Sequence, residues 1–319
     1  MKWSFFKTVL LLTAIAAFLT VLSTFRGLQV QQEVPHPSLD LGIDDDVEEE
    51  RETWIILLAF QRSGTHYLTQ ELSRHPCMYV AGEILLAPGL KEDWWSPEKR
   101  RAGIKTFYNM SLSSEEKSLE LPPVSEEWAL EAAKALASGK MIRGFNWKVS
   151  QGFLQDLPWI EAFIAKHKVK LIWLQRRNML RRYLSMMSNR RFLVAATTNK
   201  SAASRIKKEK VPIPVDKLVK DLKAREAEVK QLQGFFKILE SKGHQVLQVT
   251  YESLSESMDQ IRSWAVKDTS CQSSGDSVTG DDKDGYQKLH PGNLSEMVEN
   301  WKEVTAALKK TKWEWMLND

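Results

Sequence analysis

A short polar turn, Gln61–Gly64, and the threonine that follows it have the residue types that bind a dianion such as phosphate. The turn follows an apolar, β-branched run, Thr53–Phe60, and precedes a predicted helix. A strand that turns tightly into a helix brings backbone N–H groups together around an anion. Gly64 lets the backbone approach closely, Arg62 supplies a fixed charge, and the serine and threonine supply hydroxyls. The turn therefore predicts an anion site; the alternative is a generic turn with an incidental arginine.

A second basic turn follows another predicted strand, Val169–Leu174. Arg177 lies just past this strand, and Ser185 lies eight residues later on the helix that should follow. Arginine is a planar, permanently charged fork that suits phosphate oxygens. The serine lies about two turns along the helix, on roughly the same side as its start. The pair therefore predicts a second phosphate subsite; the alternative is a solvated basic helix face.

The two turns together resemble the cofactor motifs of sulfotransferases. The nucleoside-triphosphate loop GxxxxGK[ST] is excluded, because no glycine precedes Gly64 at that spacing. RSGT instead resembles the 5′-phosphosulfate loop of enzymes that use 3′-phosphoadenosine 5′-phosphosulfate, and Arg177 and Ser185 stand at the spacing of their 3′-phosphate site. RSGTHYLTQELSRHP, GEILL, RRNML and the C-terminal stretch are similar to nodulation-factor and glycolipid sulfotransferases. The resemblance covers Thr53 to Asp319, with poor matching over 91–140 and 191–215.

The resemblance implies which residues bind the donor, 3′-phosphoadenosine 5′-phosphosulfate, and it implies no metal. The residues expected at the donor are Arg62, Ser63, Gly64, Thr65, His66, Tyr67, Arg177, Ser185 and Lys288. Many sulfotransferases carry lysine where this chain has Arg62; arginine occurs in the nodulation-type group, and as a permanent cation it cannot donate a proton. Arg62 and the loop amides would offset the charge that grows on the leaving phosphate.

The acceptor hydroxyl also needs a base, and Glu83 is the first candidate. Related glycolipid sulfotransferases use a glutamate in a comparable place; a structural ion pair is the alternative role. His66, inside the loop, is the competing base. Lys148, at the end of a predicted strand, would steady the sulfuryl group or hold Glu83, or would be a surface lysine. The segment TYESL, which contains Glu252, resembles an element of the sulfotransferase superfamily that ends a core strand. The predicted role of Glu252 is therefore structural.

The N-terminal residues predict a membrane anchor. Lys2 and Lys7 precede the apolar run Thr8–Phe25, and an acidic stretch, Asp44–Glu50, follows it. This charge order predicts a cytoplasmic N-terminus with the rest of the chain across the membrane; a cleaved signal peptide is the alternative. The Asn-x-Ser sequons at Asn109, Asn199 and Asn293 agree with a lumenal, glycosylated domain. The predicted organisation is a cytoplasmic tip and signal-anchor helix over residues 1–26, a stem over 27–52, and a sulfotransferase domain over 53–319.

Composition and periodicity predict one α/β domain. The 319 residues are 43% apolar, which is enough for a sizeable core, and the net charge of +4 fits an anionic cofactor without arguing for nucleic acid. The histidines and cysteines show no metal-ligand spacing, and Cys77 and Cys271 are the one disulfide pair that the sequence allows. Alternating elements predict a P-loop-like, mainly parallel sheet with helices on both faces. Besides the elements named above, we predict strands at 78–81, 141–149 and 244–251 and helices at 65–74, 125–138, 155–166, 216–242, 255–266 and 294–310, with a mobile loop at 268–285.

The sequence therefore predicts a single-pass type II membrane enzyme, in the Golgi if the source is eukaryotic. It would transfer a sulfuryl group to a hydroxyl of a carbohydrate or glycolipid. The alternatives are a sulfotransferase that acts on a small molecule or on protein tyrosine, and a non-catalytic nucleotide-binding protein of the same fold. The sequence leaves the formation of a homodimer open.

Overall fold

Five parallel strands form one sheet in the computed structural model, which describes residues 53–85, 96–108, 110, 140–192, 209–269, 271 and 292–318. The strands are β1 (Thr53–Ala59), β2 (Met78–Ala81), β3 (Ile142–Lys148), β4 (Lys170–Gln175) and β5 (Val246–Thr250). Their spatial order is β2-β3-β1-β4-β5, and every neighbouring pair is parallel. The central strand is apolar and buried on both faces, as a covered parallel sheet requires. The predicted α/β class and parallel sheet are confirmed.

Helices cover the sheet on both faces. The helices of the described ranges are α1 (Thr65–Ser73), α2 (Pro97–Phe107), α3 (Leu157–His167), α4 (Met179–Phe192), α5 (Val215–Ser241), α6 (Met258–Val266), α7 (Leu294–Met297) and α8 (Trp301–Leu308). Successive side chains of a strand point to opposite faces. Accordingly, Ile55 and Leu57 of β1 pack in one core cluster with α1 and α6, whereas Ile56 and Leu58 pack in a second cluster with α2, α3, α4, α5 and α8.

The predicted C-terminal helix, 294–310, is wrong as one continuous element. It is interrupted between α7 and α8, where Val298 has an extended backbone and forms a parallel bridge with Val211. The side chain of Asn300 also binds Ile213, because its Oδ1 accepts from the backbone N–H and its Nδ2 donates to the backbone carbonyl, both at 2.9 Å. These pairings satisfy backbone groups of a distant segment, and a continuous helix could not form them.

Helix α2 was absent from the sequence predictions, although its start carries a recognisable signal. Ser96 is the N-cap and accepts a hydrogen bond from Lys99 N at 3.4 Å, and Pro97 occupies the first helical turn. The predicted helix 125–138, the anchor 1–26 and the stem 27–52 lie outside the described residues, as does the loop 268–285 apart from residues 268, 269 and 271. Within the described ranges, no helix has both the length and the apolar character needed to cross a membrane.

A disulfide links Cys77, which directly precedes β2, to Cys271, which follows α6; their Cα atoms are 6.2 Å apart. The sequence left this pairing undecided. His75 lies beside the bridge, so that its ring and the two sulfurs offer potential ligand atoms within 4.8 Å of one another. The sulfurs are bonded to each other, and a disulfide offers no thiolate to a metal.

Candidate functional site

The two basic turns predicted from the sequence meet at one crevice of the sheet. The chain leaves β1 toward β2 on one side and leaves β4 toward β5 on the other side, although β1 and β4 are neighbours. Adjacent strands whose connections run in opposite directions create a crevice at their carboxyl ends, where ligands bind in open parallel sheets. The crevice is bordered by the turn after β1 and by the turn after β4.

The backbone of the first turn has an unusual conformation that requires a glycine at position 64. Arg62 and Gly64 both have positive φ angles, 68° and 87°. A Cβ atom on Gly64 would lie 2.5 Å from Cδ2 of Tyr251, so that a side chain here would overlap the ring. Tyr251 also stacks against the guanidinium of Arg176, whose carbon is 4.5 Å from the ring centroid. Tyr251 therefore packs the first turn against the second.

The N-terminus of α1 has the character of an oxyanion site. Gly64 is the N-cap residue, so no side chain caps the first amides of the helix. Ser63 is fully buried, and its hydroxyl has no hydrogen-bond partner among the described residues. A buried, unpartnered hydroxyl is costly unless a ligand uses it. The residues at this turn thus fit a phosphate or sulfate group.

The two turns are joined by a side-chain hydrogen bond. Arg62 Nε donates to Ser185 Oγ of α4 at 3.0 Å, across 123 residues of sequence. Arg176 Nη1 also donates to the carbonyl of Arg62 at 3.4 Å. Burial and the nearby charge of Arg176 lower the pKa of Arg62, and Glu83 partly opposes the shift. The guanidinium remains protonated at neutral pH, and the crevice is strongly cationic.

Arg177 does not share the Arg62–Ser185 contact. Its side chain is exposed, and its backbone N–H donates to Glu252 Oε2 at 3.1 Å. The N–H of Asn178 donates to the other oxygen of Glu252 at 3.2 Å. The carboxylate of Glu252 therefore occupies the amides of the second turn, which agrees with its predicted structural role. A phosphate bound here would be held by side chains and not by these amides.

Glu83 and Lys148 form a buried ion pair next to the first turn. Lys148 Nζ lies 3.4 Å from Glu83 Oε1 and donates to Thr65 Oγ1 at 2.5 Å. The side chain of Lys148 is only 2% exposed and that of Glu83 is 15% exposed, so Lys148 is not a surface lysine. Burial lowers the pKa of Lys148 to about 8; Glu83 opposes this shift and Arg62 adds to it. Below that pH, Lys148 is a cation that contacts both the loop and the candidate base.

His66 has a different environment from Glu83. Part of its surface is exposed, but it lies against the crowded crevice, and the loss of water contact lowers its pKa. The charge of Lys148 lowers the pKa of His66 further. The imidazole is therefore neutral at pH 7, as a base must be. Tyr67 is half-buried on α1, and Lys288 lies outside the described residues.

Several residues that support the first turn were missed in the sequence analysis. Arg182 is buried, and its Nη1 donates to the carbonyl of Gln61 at 3.5 Å while its Nη2 donates to Asp221 Oδ2 at 2.7 Å. The guanidinium carbons of Arg182 and Arg225 lie 5.8 and 5.5 Å from the ring centroid of Phe60. These contacts fix the chain where it leaves β1. Arg182 stands within the basic run RRNMLRR, but no spacing in the sequence distinguishes it from the other arginines of the run.

Comparison with known proteins gives no match, either to a model of a protein family or to a curated protein sequence. The functional conclusion is therefore argued from the site itself and from the sequence motifs that it brings together.

Proposed function

We propose that the protein is a sulfotransferase that moves a sulfuryl group from 3′-phosphoadenosine 5′-phosphosulfate to a hydroxyl group. The observation that carries the proposal is the hydrogen bond between Arg62 and Ser185, which joins the two predicted phosphate-binding turns across one crevice. A donor with a phosphosulfate at one end and a 3′-phosphate at the other needs two such anion sites side by side. The unpartnered hydroxyl of Ser63 further supports an oxyanion ligand at the first turn.

Each part of the crevice has a role in holding the donor. Arg62, Ser63 and the N-terminal amides of α1 would hold the phosphosulfate, which is the group that supplies the sulfuryl. Ser185 and Arg177 would hold the 3′-phosphate. The hydrogen bond from Arg62 Nε to Ser185 leaves the Nη groups of Arg62 and the hydroxyl proton of Ser185 for bonds to the donor. The exposed side chain of Arg177 is free to turn toward the crevice without first losing burial.

The transfer step needs a base, a fixed acceptor and charge stabilisation. The proton of the acceptor hydroxyl passes to the carboxylate of Glu83 while the acceptor oxygen forms its bond to sulfur. The bond between sulfur and the bridging oxygen breaks, and that oxygen leaves with the electron pair as part of a phosphate. Arg62 offsets the charge that grows on the phosphate. Lys148, which contacts both Thr65 and Glu83, orients the base relative to the loop.

The acceptor class rests on the resemblance to glycolipid and nodulation-factor enzymes. We propose a carbohydrate or glycolipid hydroxyl, acted on by a domain that an N-terminal signal-anchor, 1–26, tethers on the lumenal side of a Golgi-type membrane. A small-molecule phenol or a protein tyrosine is the alternative acceptor. A protein that binds the donor but does not turn it over would be the non-catalytic alternative.

The decisive experiment measures binding and transfer on the same protein. Adenosine 3′,5′-bisphosphate is titrated by calorimetry, and labelled sulfate from the donor is then offered to a panel of glycans, glycolipids and phenols. Arg177→Ala should weaken bisphosphate binding by about 2–5 kcal/mol, because it removes a charge partner of the phosphate. Arg190→Ala is the matched control, since Arg190 is an exposed arginine in the last turn of α4, the helix that follows Arg177.

Three outcomes would count against parts of the proposal. Absence of bisphosphate binding by the wild type would refute it entirely. Binding without transfer to any acceptor would favour the non-catalytic alternative. Equal affinity of wild type and Arg177→Ala would remove Arg177 from the 3′-phosphate subsite.

A further inference from the structure

We propose that Gln151 is a positioning residue that fixes the orientation of the Glu83 carboxylate. The inference rests on the proposed function, because it assigns a partner to the base of that reaction. Gln151 was not among the residues singled out from the sequence. It lies in a short 3-10 turn, Val149–Gln151, that directly follows β3 and brings residue 151 back over Lys148.

The orientation of the Gln151 amide is fixed by the backbone. The N–H of Lys148 can only donate, and it lies 2.9 Å from Gln151 Oε1. The amide nitrogen must therefore face the other way, where Nε2 donates to Glu83 Oε2 at 3.3 Å. Gln151 is 8% exposed, and its backbone carbonyl oxygen accepts a hydrogen bond from Trp147 Nε1 at 3.3 Å. A side chain held at both ends in this way has little freedom to leave Glu83.

Gln151 and Lys148 share the two oxygens of Glu83 between them. Lys148 Nζ lies 3.4 Å from Oε1, and Gln151 Nε2 lies 3.3 Å from Oε2. Two donors on opposite oxygens fix the plane of a carboxylate that could otherwise rotate. A hydrogen bond donated to a carboxylate favours its charged form. Each carboxylate oxygen has a second lone pair, so an acceptor hydroxyl can still be bound by Glu83.

Gln151 is the neutral member of the set of groups around Glu83. Among the described residues, charged or titratable groups that interact with Glu83 include Lys148 from β3, Arg62 from the first turn and His66 from α1. Arg62 and His66 belong to the first turn and the start of α1, and Lys148 contacts Thr65 there, so the charges of these groups would act on a donor bound at that turn as well. The amide of Gln151 is neutral, so it orients Glu83 through its dipole and adds no further positive charge beside the donor.

The test substitutes Gln151→Glu, which separates the two contacts of the side chain. An oxygen still accepts from the N–H of Lys148, so the turn keeps its hydrogen bond. The group opposite Glu83, however, becomes a second carboxylate, and like charges at such a separation raise the pKa of one of the pair. Gln155→Glu is the matched control, because Gln155 is exposed four residues further along and receives the same added charge.

Two readouts are measured on the full-length protein. The acid limb of the pH dependence of kcat should move up by about one unit or more in Gln151→Glu, with transfer recovering at higher pH, and should not move in Gln155→Glu. Titration of the Glu83 carboxyl, followed by carbon NMR of labelled glutamate and assigned with Glu83→Gln, should shift in the same direction. The KM for the donor should stay close to wild type in both variants.

If neither Glu83 nor the introduced carboxyl of Gln151→Glu shows a raised titration, the inference is overturned, whether or not transfer is observed. An unshifted acid limb in a variant that folds and binds the donor overturns it equally. Failure of the wild type to bind donor or transfer sulfate refutes the proposed function instead, and the NMR titration distinguishes the two cases because it does not depend on activity.

Discussion

Lys148 is the residue at which stability and the proposed chemistry are most closely coupled. It is almost fully buried, yet it contacts one acid and one hydroxyl that both belong to the crevice. A buried ammonium is costly unless it is paired, and the pairing with Glu83 offsets only part of that cost, since its pKa still falls to about 8. A fold that retains such a group keeps a cation where an anionic ligand would gain from it.

The Lys148 prediction concerns the pH dependence of stability. The folded pKa, about 8, lies below the ordinary value of 10.5, so the unfolded chain binds more protons between these two values. The contribution of Lys148 to the free energy of unfolding should therefore rise as the pH increases from about 8 to 10.5, by about 1–3 kcal/mol. Below pH 8 both states are protonated, and the cost of burying the charge is fully present.

Urea unfolding of wild type and Lys148→Met at several pH values isolates this contribution. The stability of wild type relative to the mutant should improve as the pH rises through this window. Lys166→Met, at an exposed position on α3, should follow the wild-type curve. Parallel curves for wild type and Lys148→Met would contradict a depressed pKa for Lys148.

The second residue-scale prediction assigns the base. Glu83→Gln keeps the shape of the side chain and removes its basicity, so turnover should fall by roughly 10²–10⁴-fold while donor affinity stays nearly unchanged. Steady-state transfer assays together with bisphosphate calorimetry would measure both quantities. Retention of full turnover would move the role to His66, which is neutral at pH 7 and lies on the same crevice.

At the scale of elements, the first turn depends on one glycine. Gly64→Ala should destabilise the protein by about 1–3 kcal/mol and impair bisphosphate binding, because φ is positive there and a Cβ would overlap the ring of Tyr251. Gly234→Ala is a control of opposite sign. Gly234 lies inside α5, where a Cβ meets nothing within 4 Å, so alanine should stabilise the helix by about 0.5–1 kcal/mol. Thermal or urea unfolding measures the stability of both variants. If Gly64→Ala is as stable as the wild type, the turn can relax around the added methyl group.

Most elements could be predicted from the sequence because local patterns specify them. The apolar runs of β1 and β4, the four-residue β2 and the long periodic helix α5 all carry signals within their own residues. The break between α7 and α8 carries no such signal, because it depends on the bridge to Val211, which is distant in sequence. The candidate site shows the same division. Arg62 and Ser185 belong to recognisable motifs, whereas Gln151, Tyr251 and Arg182 gain their roles only from contacts between separate elements.

At the scale of the whole molecule, the disulfide and the candidate site lie at opposite ends of the parallel strands. Cys77 directly precedes β2, so the bridge is at the end of the sheet where the parallel strands begin. The crevice is formed where β1 and β4 end. The bridge spans 194 residues of sequence, and its closure therefore restricts most of the domain in the unfolded state.

Because the disulfide lies far from the crevice, the last prediction is that its removal affects stability but not ligand binding. Replacing both Cys77 and Cys271 by serine should lower the free energy of unfolding by up to about 5 kcal/mol, as expected for so long a loop, whereas bisphosphate affinity should remain at the wild-type value at temperatures where the variant is folded. Reduced wild type should match the double variant in unfolding experiments, because both lack the same restraint. Structural bridges of this kind are typical of oxidising compartments, which agrees with the proposed lumenal domain. A variant that loses stability and affinity together would show instead that the bridge also shapes the crevice, through β2 and the Glu83 segment that follows it.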